Sequence, residues 1–239
     1  MRLYVLVEGQ TEEAFIKRVL EPHLRQFQVW TVPFIVQTSR TADGQKRRGG
    51  GHWRHWAKDL KRLSAEHPGG DVRFTTLFDL YGLPDDFPEI SLHVSPNSTQ
   101  RAHDLETAMA NVIGDWRLIP YLQRHEFEAL VLAGLSKLSL LLDPSDQPGL
   151  NQLVAEIGAT PPEEVNDGAT TAPSKRLLRH LPSYRKPVHG PLVVEATGLD
   201  QLRARCPRFH AWVARLEALA PKQPDARSLS DLDSRPRRP

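Results

Sequence analysis

Cysteine is almost absent from this chain of 239 residues, which contains Cys206 alone. A disulfide framework and a Cys-x-x-Cys metal site are therefore excluded. Long apolar runs are also absent, because Gly134, Ser136 and Lys137 interrupt the longest one, at 130–142. A membrane-spanning helix needs roughly 20 predominantly apolar residues. We therefore expect no membrane segment.

A cleavable leader is not expected either. The apolar run 3–7 at the start of the chain is short, and Glu8 and Gly9 end it. A secretory signal has a longer apolar region, followed by small residues at a cleavage site. Together with the single cysteine, this pattern indicates a cytoplasmic protein.

Neither sign of charge is in excess, since 31 Lys and Arg residues stand against 29 Asp and Glu residues. Two segments are nevertheless basic: residues 40–62 contain eight Lys and Arg against two Asp, and residues 175–239 contain 14 against six acids. These segments either neutralise the phosphates of DNA or RNA or form a merely solvated surface. The glycines 49–51 lack the Gly-Lys-Ser/Thr ending of a phosphate-binding loop, so ATP hydrolysis by this chain alone is not expected.

Apolar patterning predicts an α/β fold. Short apolar runs predict strands at 3–7, 30–36, 72–78 and 118–122. Apolar residues at helical spacing predict helices at 11–26, 52–64, 103–113, 127–142, 150–157, 174–181, 198–206 and 209–219. Alternation in the first half favours a parallel sheet flanked by helices, whereas the second half is mainly helical. We predict a core domain at 1–142, a helical subdomain at 143–220 and a flexible tail at 221–239.

Two acids directly follow predicted buried strands, Glu8 after the first and Asp79 after the third. In open α/β sheets the functional crevice lies outside the carboxyl ends of the strands. If the two strands are neighbours, both carboxylates reach one Mg²⁺, and Glu12 can face the same crevice from the following helix. The alternative is that Glu8 and Glu12 only begin a helix, and that Asp79 only initiates a turn.

Two further polar groups stand at helix starts. His125, Glu126 and Glu128 precede an apolar helix, where capping is the simplest role. The basic segments 174–176 and 184–186 either lie on a solvated face or hold a phosphate.

Several motifs together resemble a known family. The sequence Glu-Gly-Gln-Thr-Glu at 8–12 resembles the first motif of Toprim domains, the fold shared by topoisomerases, DnaG-type primases and the overcoming-lysogenization-defect nucleases. Over residues 3–219, the ordered motifs are similar to those of a bacterial family of uncharacterised Toprim-like proteins; they lie at 8–13, 78–84, 125–130, 173–176 and 206–209. The resemblance implies a Toprim/Rossmann-like parallel sheet. It also implies a neighbouring ATPase related to SMC and ABC proteins, and a role in phage defence.

The resemblance also implies roles for particular residues. Glu8 matches the Toprim glutamate, and Asp79 matches the first acid of the usual Asp-x-Asp pair. Tyr81 stands where the second Asp is expected, so a metal site must recruit another ligand, and Glu126 or Glu128 is the candidate. The implied ion is Mg²⁺ or Mn²⁺. Its expected ligands are Glu8, Glu12, Asp79 and Glu126.

Three functions remain open at this point. The first is a metal-dependent nuclease, the effector of an ATPase-coupled anti-phage system, in which Lys175 places a cation against the scissile phosphate. The second is a nucleic-acid-binding or regulatory subunit of the ATPase, which Tyr81 favours. The third is a phosphotransferase or nucleotidyltransferase acting on a smaller substrate. The choice between DNA and RNA stays open, as does a homodimer.

Overall fold

A parallel sheet forms the centre of the structure, a computed structural model that describes residues 1–40, 46–48, 51–165 and 171–221. The strands are β1 (Arg2–Val7), β2 (Trp30–Ile35), β3 (Gln37–Arg40), β4 (Lys46–Arg48), β5 (Val72–Asp79), β6 (Leu118–Ile119) and β7 (Leu122–Gln123). The sheet order is β2-β1-β5-β6, β7 also pairs with β5, and all these pairings are parallel. The predicted parallel α/β fold is therefore confirmed.

Eleven α-helices surround the sheet in the described part of the chain. They are α1 (Gln10–Phe15), α2 (Glu21–Arg25), α3 (Trp53–Glu66), α4 (Ser98–Ile113), α5 (Glu128–Ala133), α6 (Leu135–Leu138), α7 (Gln147–Ile157), α8 (Pro173–His180), α9 (Lys186–Thr197), α10 (Leu199–Arg205) and α11 (Pro207–Glu217). A wide turn of π type at Ile16–Leu20 joins α1 to α2, and short 3₁₀ turns lie at Pro144–Asp146 and Pro162–Glu164. Within the described residues, no helix has the length and apolar character needed to cross a bilayer.

The sheet separates two apolar cores. Leu3, Val5 and Val7 of β1 face one core, whereas Tyr4 and Leu6 face the other, because successive side chains of a strand point to opposite faces. The first core is shared with α1 and with α5 to α11, and the second with α3 and α4. Both faces of β1 are therefore buried, as its continuous apolar sequence predicts. The first core also joins the predicted segments 1–142 and 143–220.

The fourth predicted strand, 118–122, is divided into β6 and β7. Pro120 lies between them and has no backbone N–H, so it cannot continue the ladder. The hydroxyl of Thr76 in β5 replaces the missing strand hydrogen bonds. It donates a hydrogen bond to the carbonyl of Tyr121 at 2.7 Å and accepts one from the N–H of Tyr121 at 2.9 Å. The interruption therefore leaves no buried backbone group of Tyr121 without a partner.

Helix positions differ from the prediction in three places. The helix α4 begins at Ser98 rather than at residue 103. Asn97 caps this start, because its side-chain oxygen accepts hydrogen bonds from two backbone N–H groups. The predicted helix 127–142 is broken at Gly134, where a Cβ would lie 1.8 Å from Thr197 Oγ1 of α9. The helix α9 was not predicted, because Pro187, Gly190 and Pro191 obscure its periodicity.

Parts of two predicted segments lie outside the described residues. The segment 38–51 was predicted to be a turn-rich basic loop. The described part of it contributes to the antiparallel pair β3–β4, and positions 41–45 and 49–50 are not described. The predicted tail, 221–239, is described only at its first residue.

Trp212 links α11 to the sheet, so we expect Trp212→Ala to lower the free energy of unfolding by about 3–5 kcal/mol. Its indole N–H donates to Thr75 Oγ1 at 2.9 Å, and its ring stacks on Tyr121 at a centroid distance of 4.5 Å. Urea unfolding measures the change. Trp116→Ala is the matched control, because that ring is 74% exposed. Equal losses in the two variants would contradict a core role for Trp212.

Candidate active site

The carboxyl ends of β1 and β5 bring Glu8 and Asp79 together. The two strands pair in parallel up to Val7 and Leu77. One residue past β1, Glu8 Oε1 accepts the backbone N–H of Asp79 at 2.7 Å. At Gly82 an added Cβ would lie 3.0 Å from Glu8 Oε2, so the loop after β5 passes close to the carboxylate. The predicted adjacency of the two strands is therefore confirmed.

The segment after β7 fixes the second carboxylate. His125 adopts φ +66°, an uncommon conformation for a residue other than glycine. Its carbonyl accepts the N–H of Tyr81 at 2.9 Å, and two residues later the N–H of Phe127 donates to Asp79 Oδ1 at 2.8 Å. These two hydrogen bonds connect the loop after β5 to the start of α5, and the second one orients the Asp79 carboxylate. The uncommon backbone conformation of His125 is a local cost of this arrangement.

Glu128 and Lys186 complete the cluster. Glu128 lies in the first turn of α5 and is fully buried. Lys186, the first residue of α9, places its Nζ 2.9 Å from Glu128 Oε2 and 3.6 Å from Asp79 Oδ2. Lys186 thus pairs with Glu128 Oε2, whereas Glu128 Oε1 has no hydrogen-bond partner among the described residues. One ammonium group therefore serves two buried acids.

Burial disfavours the charged form of these acids. Desolvation raises the pKa of Glu8 from 4.5 to about 7, helped by the negative charge of Glu12 and opposed by the Asp79 N–H. Desolvation likewise raises the pKa of Glu128 to about 7 and that of Asp79 well above its usual value. The two carboxylates beside it raise the pKa of Lys186, although burial opposes them, so the amine stays charged. When its acids are ionised, the cluster therefore carries more negative charge than the single positive charge of Lys186 can balance.

Of the other predicted site residues, Glu12 lies near the cluster, whereas the Glu126 carboxylate contacts α8. Glu12 is buried on α1 and lies close enough to act electrostatically on Glu8, Asp79 and Lys186. Glu126 turns away, because its Oε1 accepts the N–H of Ser174 at 2.6 Å and so caps the first turn of α8.

Lys175 was predicted to supply the cation, but it is exposed on α8, and no contact with the acids is found for it in the described residues. The lysine that meets the carboxylates is Lys186. Sequence reasoning named Lys186 only as part of a basic segment. The one available signal was its place in Tyr-Arg-Lys-Pro at 184–187, since proline is frequent in the first turn of a helix.

The donor atoms of the cluster fit a hard divalent cation. Mg²⁺ prefers carboxylate oxygens and is usually held by one or two carboxylates together with substrate phosphates and water. Glu8 and Asp79 provide two adjacent carboxylates, and Glu128 is joined to Asp79 through their shared contact with Lys186. In the described ranges no group of three His, Cys, Asp or Glu residues is arranged to hold a metal ion. A site of two protein carboxylates completed by a phosphate is compatible with both observations.

The chain belongs to the family described as "Domain of unknown function (DUF4276)", whose model matches residues 7–217. A comparison with curated proteins gives no match.

Two solved structures are similar to this chain. One is the C-terminal region of the Xanthomonas campestris pv. campestris OLD protein, with 13% sequence identity, a TM-score of 0.43, and coverage of 91% of this chain and 96% of that chain. The other is the C-terminal region of the Burkholderia pseudomallei OLD protein, with 16% identity, a TM-score of 0.39, and coverage of 92% and 98%. Similarity at this level does not transfer a site, so the functional interpretation rests on this chain's own residues.

We expect the stability of the metal-free protein to fall as the pH rises from about 5 to about 7. In that interval the folded protein keeps the proton on Glu8, whose pKa is about 7, whereas an unfolded chain has already released it near 4.5. The Glu8→Gln variant should show a shallower fall and should exceed the wild type in free energy of unfolding at pH 8. Urea unfolding in the presence of a chelator measures this. A flat wild-type profile over that interval would contradict an uncompensated Glu8.

Proposed function

We propose that this protein is a Mg²⁺- or Mn²⁺-dependent nuclease that hydrolyses phosphodiester bonds at the carboxyl edge of its sheet. The observation that carries the proposal is the excess of negative charge in the cluster. Asp79 interacts electrostatically with three other acids, Glu8, Glu12 and Glu128, and the lysine that contacts it is Lys186. A divalent cation supplies the positive charge that such a site lacks, and it binds the substrate phosphate at the same time.

Each side chain has a role in this proposal. Glu8 and Asp79 would hold the metal ion, which would supply an activated water molecule and stabilise the charge of the transition state. Glu128 pairs with Lys186 through Oε2 and has a pKa of about 7, so its Oε1 accepts or returns a proton near neutral pH. Lys186 neutralises the acids in the free enzyme and faces the developing negative charge on the phosphate during reaction.

The biological setting belongs to the same proposal. We propose that the protein is the effector subunit of a phage-defence system, with a partner ATPase of SMC or ABC type. The substrate is DNA or RNA, and a homodimer is compatible with the proposal. The phage-defence role and the partner are proposed from the motif resemblance at 8–13 and 78–84. Because the sequence has no phosphate-binding loop, ATP hydrolysis is assigned to the partner.

A second candidate is a nucleic-acid-binding or regulatory subunit of the same ATPase. Two observations favour it. Tyr81 replaces the second acid of the motif, and Lys186 already forms ion pairs with Asp79 and Glu128. In this alternative the lysine replaces the metal ion permanently, so the protein binds nucleic acid without cleaving it.

Glu8→Gln should abolish cleavage while preserving the fold. Glutamine can still accept the N–H of Asp79, but it lacks the negative charge that a hard cation requires. A loss of about a thousandfold is expected, since metal-assisted stabilisation is worth several kcal/mol and about 1.4 kcal/mol is tenfold in rate.

Cleavage of plasmid, linear DNA and RNA is measured in Mg²⁺ or Mn²⁺, with and without the partner ATPase. Glu13→Gln is the matched control, because Glu13 lies five residues further along the chain, on α1, and pairs with Lys17. Cleavage by Glu8→Gln within a few-fold of the wild type would make Glu8 structural. Metal-independent binding without cleavage by the wild type would favour the second candidate.

Lys186→Met should reduce cleavage by about a hundredfold, comparable to the removal of one donor that stabilises a transition-state charge. Lys175→Met should leave cleavage within about twofold, because its side chain is exposed away from the acids. Thermal unfolding is measured alongside, since loss of Lys186 leaves Asp79 and Glu128 uncompensated. Lys186→Arg keeps the charge and separates a folding defect from a catalytic one. The opposite ranking of the two lysines would restore Lys175 as the functional cation.

A further inference from the structure

An exposed aromatic ring lies on the loop that follows Asp79. The Tyr81 side chain is 43% exposed, and its ring packs against the buried His125 with centroids 5.2 Å apart. The backbone N–H of Tyr81 donates to the His125 carbonyl at 2.9 Å, which fixes the loop. The next residue, Gly82, comes so close to Glu8 that an added Cβ would lie 3.0 Å from Oε2. The ring is therefore supported by His125 on one side and open to solvent, on a loop whose next residue borders Glu8.

Two arginines lie within electrostatic range of the Tyr81 hydroxyl. Arg101 and Arg124 are close enough to act electrostatically on the Tyr81 hydroxyl, as is Glu126. Arg101 donates from Nε to the His93 carbonyl at 2.8 Å, and its terminal NH₂ groups have no partner within the described residues. The Nε of Arg124 donates to Ser98 at 2.5 Å. Both guanidinium groups are thus held in place near an exposed aromatic face.

We propose that Tyr81 stacks on an unpaired nucleobase next to the phosphodiester bond, while Arg101 contacts a neighbouring phosphate. An aromatic face and an adjacent guanidinium group are the combination that single-stranded nucleic acid binds, because every base offers a π-face and every linkage a negative charge. A base paired inside a duplex cannot reach the ring. The inference rests on the proposed function, and it narrows the substrate to single-stranded or locally unpaired nucleic acid.

The competing role for Tyr81 is a simple cover over His125. An aliphatic side chain of similar size would provide that cover but would offer no π-face. Tyr81→Leu therefore separates the two roles, whereas Tyr81→Phe keeps the ring and removes only the hydroxyl.

The test measures equilibrium binding in a chelator, so that no metal-dependent cleavage interferes. The probes are single-stranded DNA and RNA oligonucleotides containing 2-aminopurine, whose fluorescence is quenched by stacking, and the corresponding duplexes. We expect Tyr81→Leu and Tyr81→Ala to weaken single-strand binding about tenfold and to lose the quenching. Tyr81→Phe and the distant control Trp116→Ala should behave like the wild type. Duplex binding should change little in any variant.

Several outcomes would overturn the inference. They are wild-type affinity and quenching in Tyr81→Leu, equal weakening for duplex and single strand, and no oligonucleotide binding by the wild type. Thermal unfolding of each variant shows whether it is folded, and Tyr81→Leu is decisive if Tyr81→Ala is not. Stacking that depends on Tyr81 in a protein that never cleaves would disprove the nuclease but leave this inference standing.

Discussion

The parallel pairing of β1 with β5 is the constraint on which the site depends. Both strands are buried on two faces, and their register runs residue for residue from Arg2 and Val72 to Val7 and Leu77. A slip by one residue would turn each apolar side chain of β1 to the opposite core. The register is therefore fixed by packing, and it delivers Glu8 to the backbone of Asp79. The position of these acids follows from burial of apolar residues elsewhere in the strands.

The consequence is a concentration of carboxylates in a poorly solvated place. A fold that only needed stability would not gather Glu8, Asp79 and Glu128 around a single lysine, because each desolvated charge is costly. The raised pKa values of about 7 for Glu8 and Glu128 record that cost. The left-handed conformation of His125 is a second local cost at the same place. Such costs are concentrated at functional sites, which is why the cluster is the candidate active site.

The sequence predicted the fold well where a local pattern was complete. The strand starts and ends near Glu8 and Asp79 agree with the prediction, because a short, wholly apolar run followed by an acid and a turn has few other interpretations. The prediction was weakest at α9, whose prolines and glycine are locally unfavourable in a helix. Packing of α9 on α1 and α5, with Val193 and Val194 buried in the first core, overrides that preference.

By itself, the sequence determined the parallel sheet and the two acids at the carboxyl ends of its strands, because periodicity and strand ends are local properties. Only the tertiary structure decided which residues from the second half join them. Glu128 and Lys186 are 58 positions apart in the chain and meet because α5 and α9 pack on the same face of the sheet. Glu126, only two residues from Glu128, points instead to α8, where its carboxylate caps a helix. Long-range packing of this kind leaves no mark on a local pattern, so sequence reasoning chose Lys175 over Lys186.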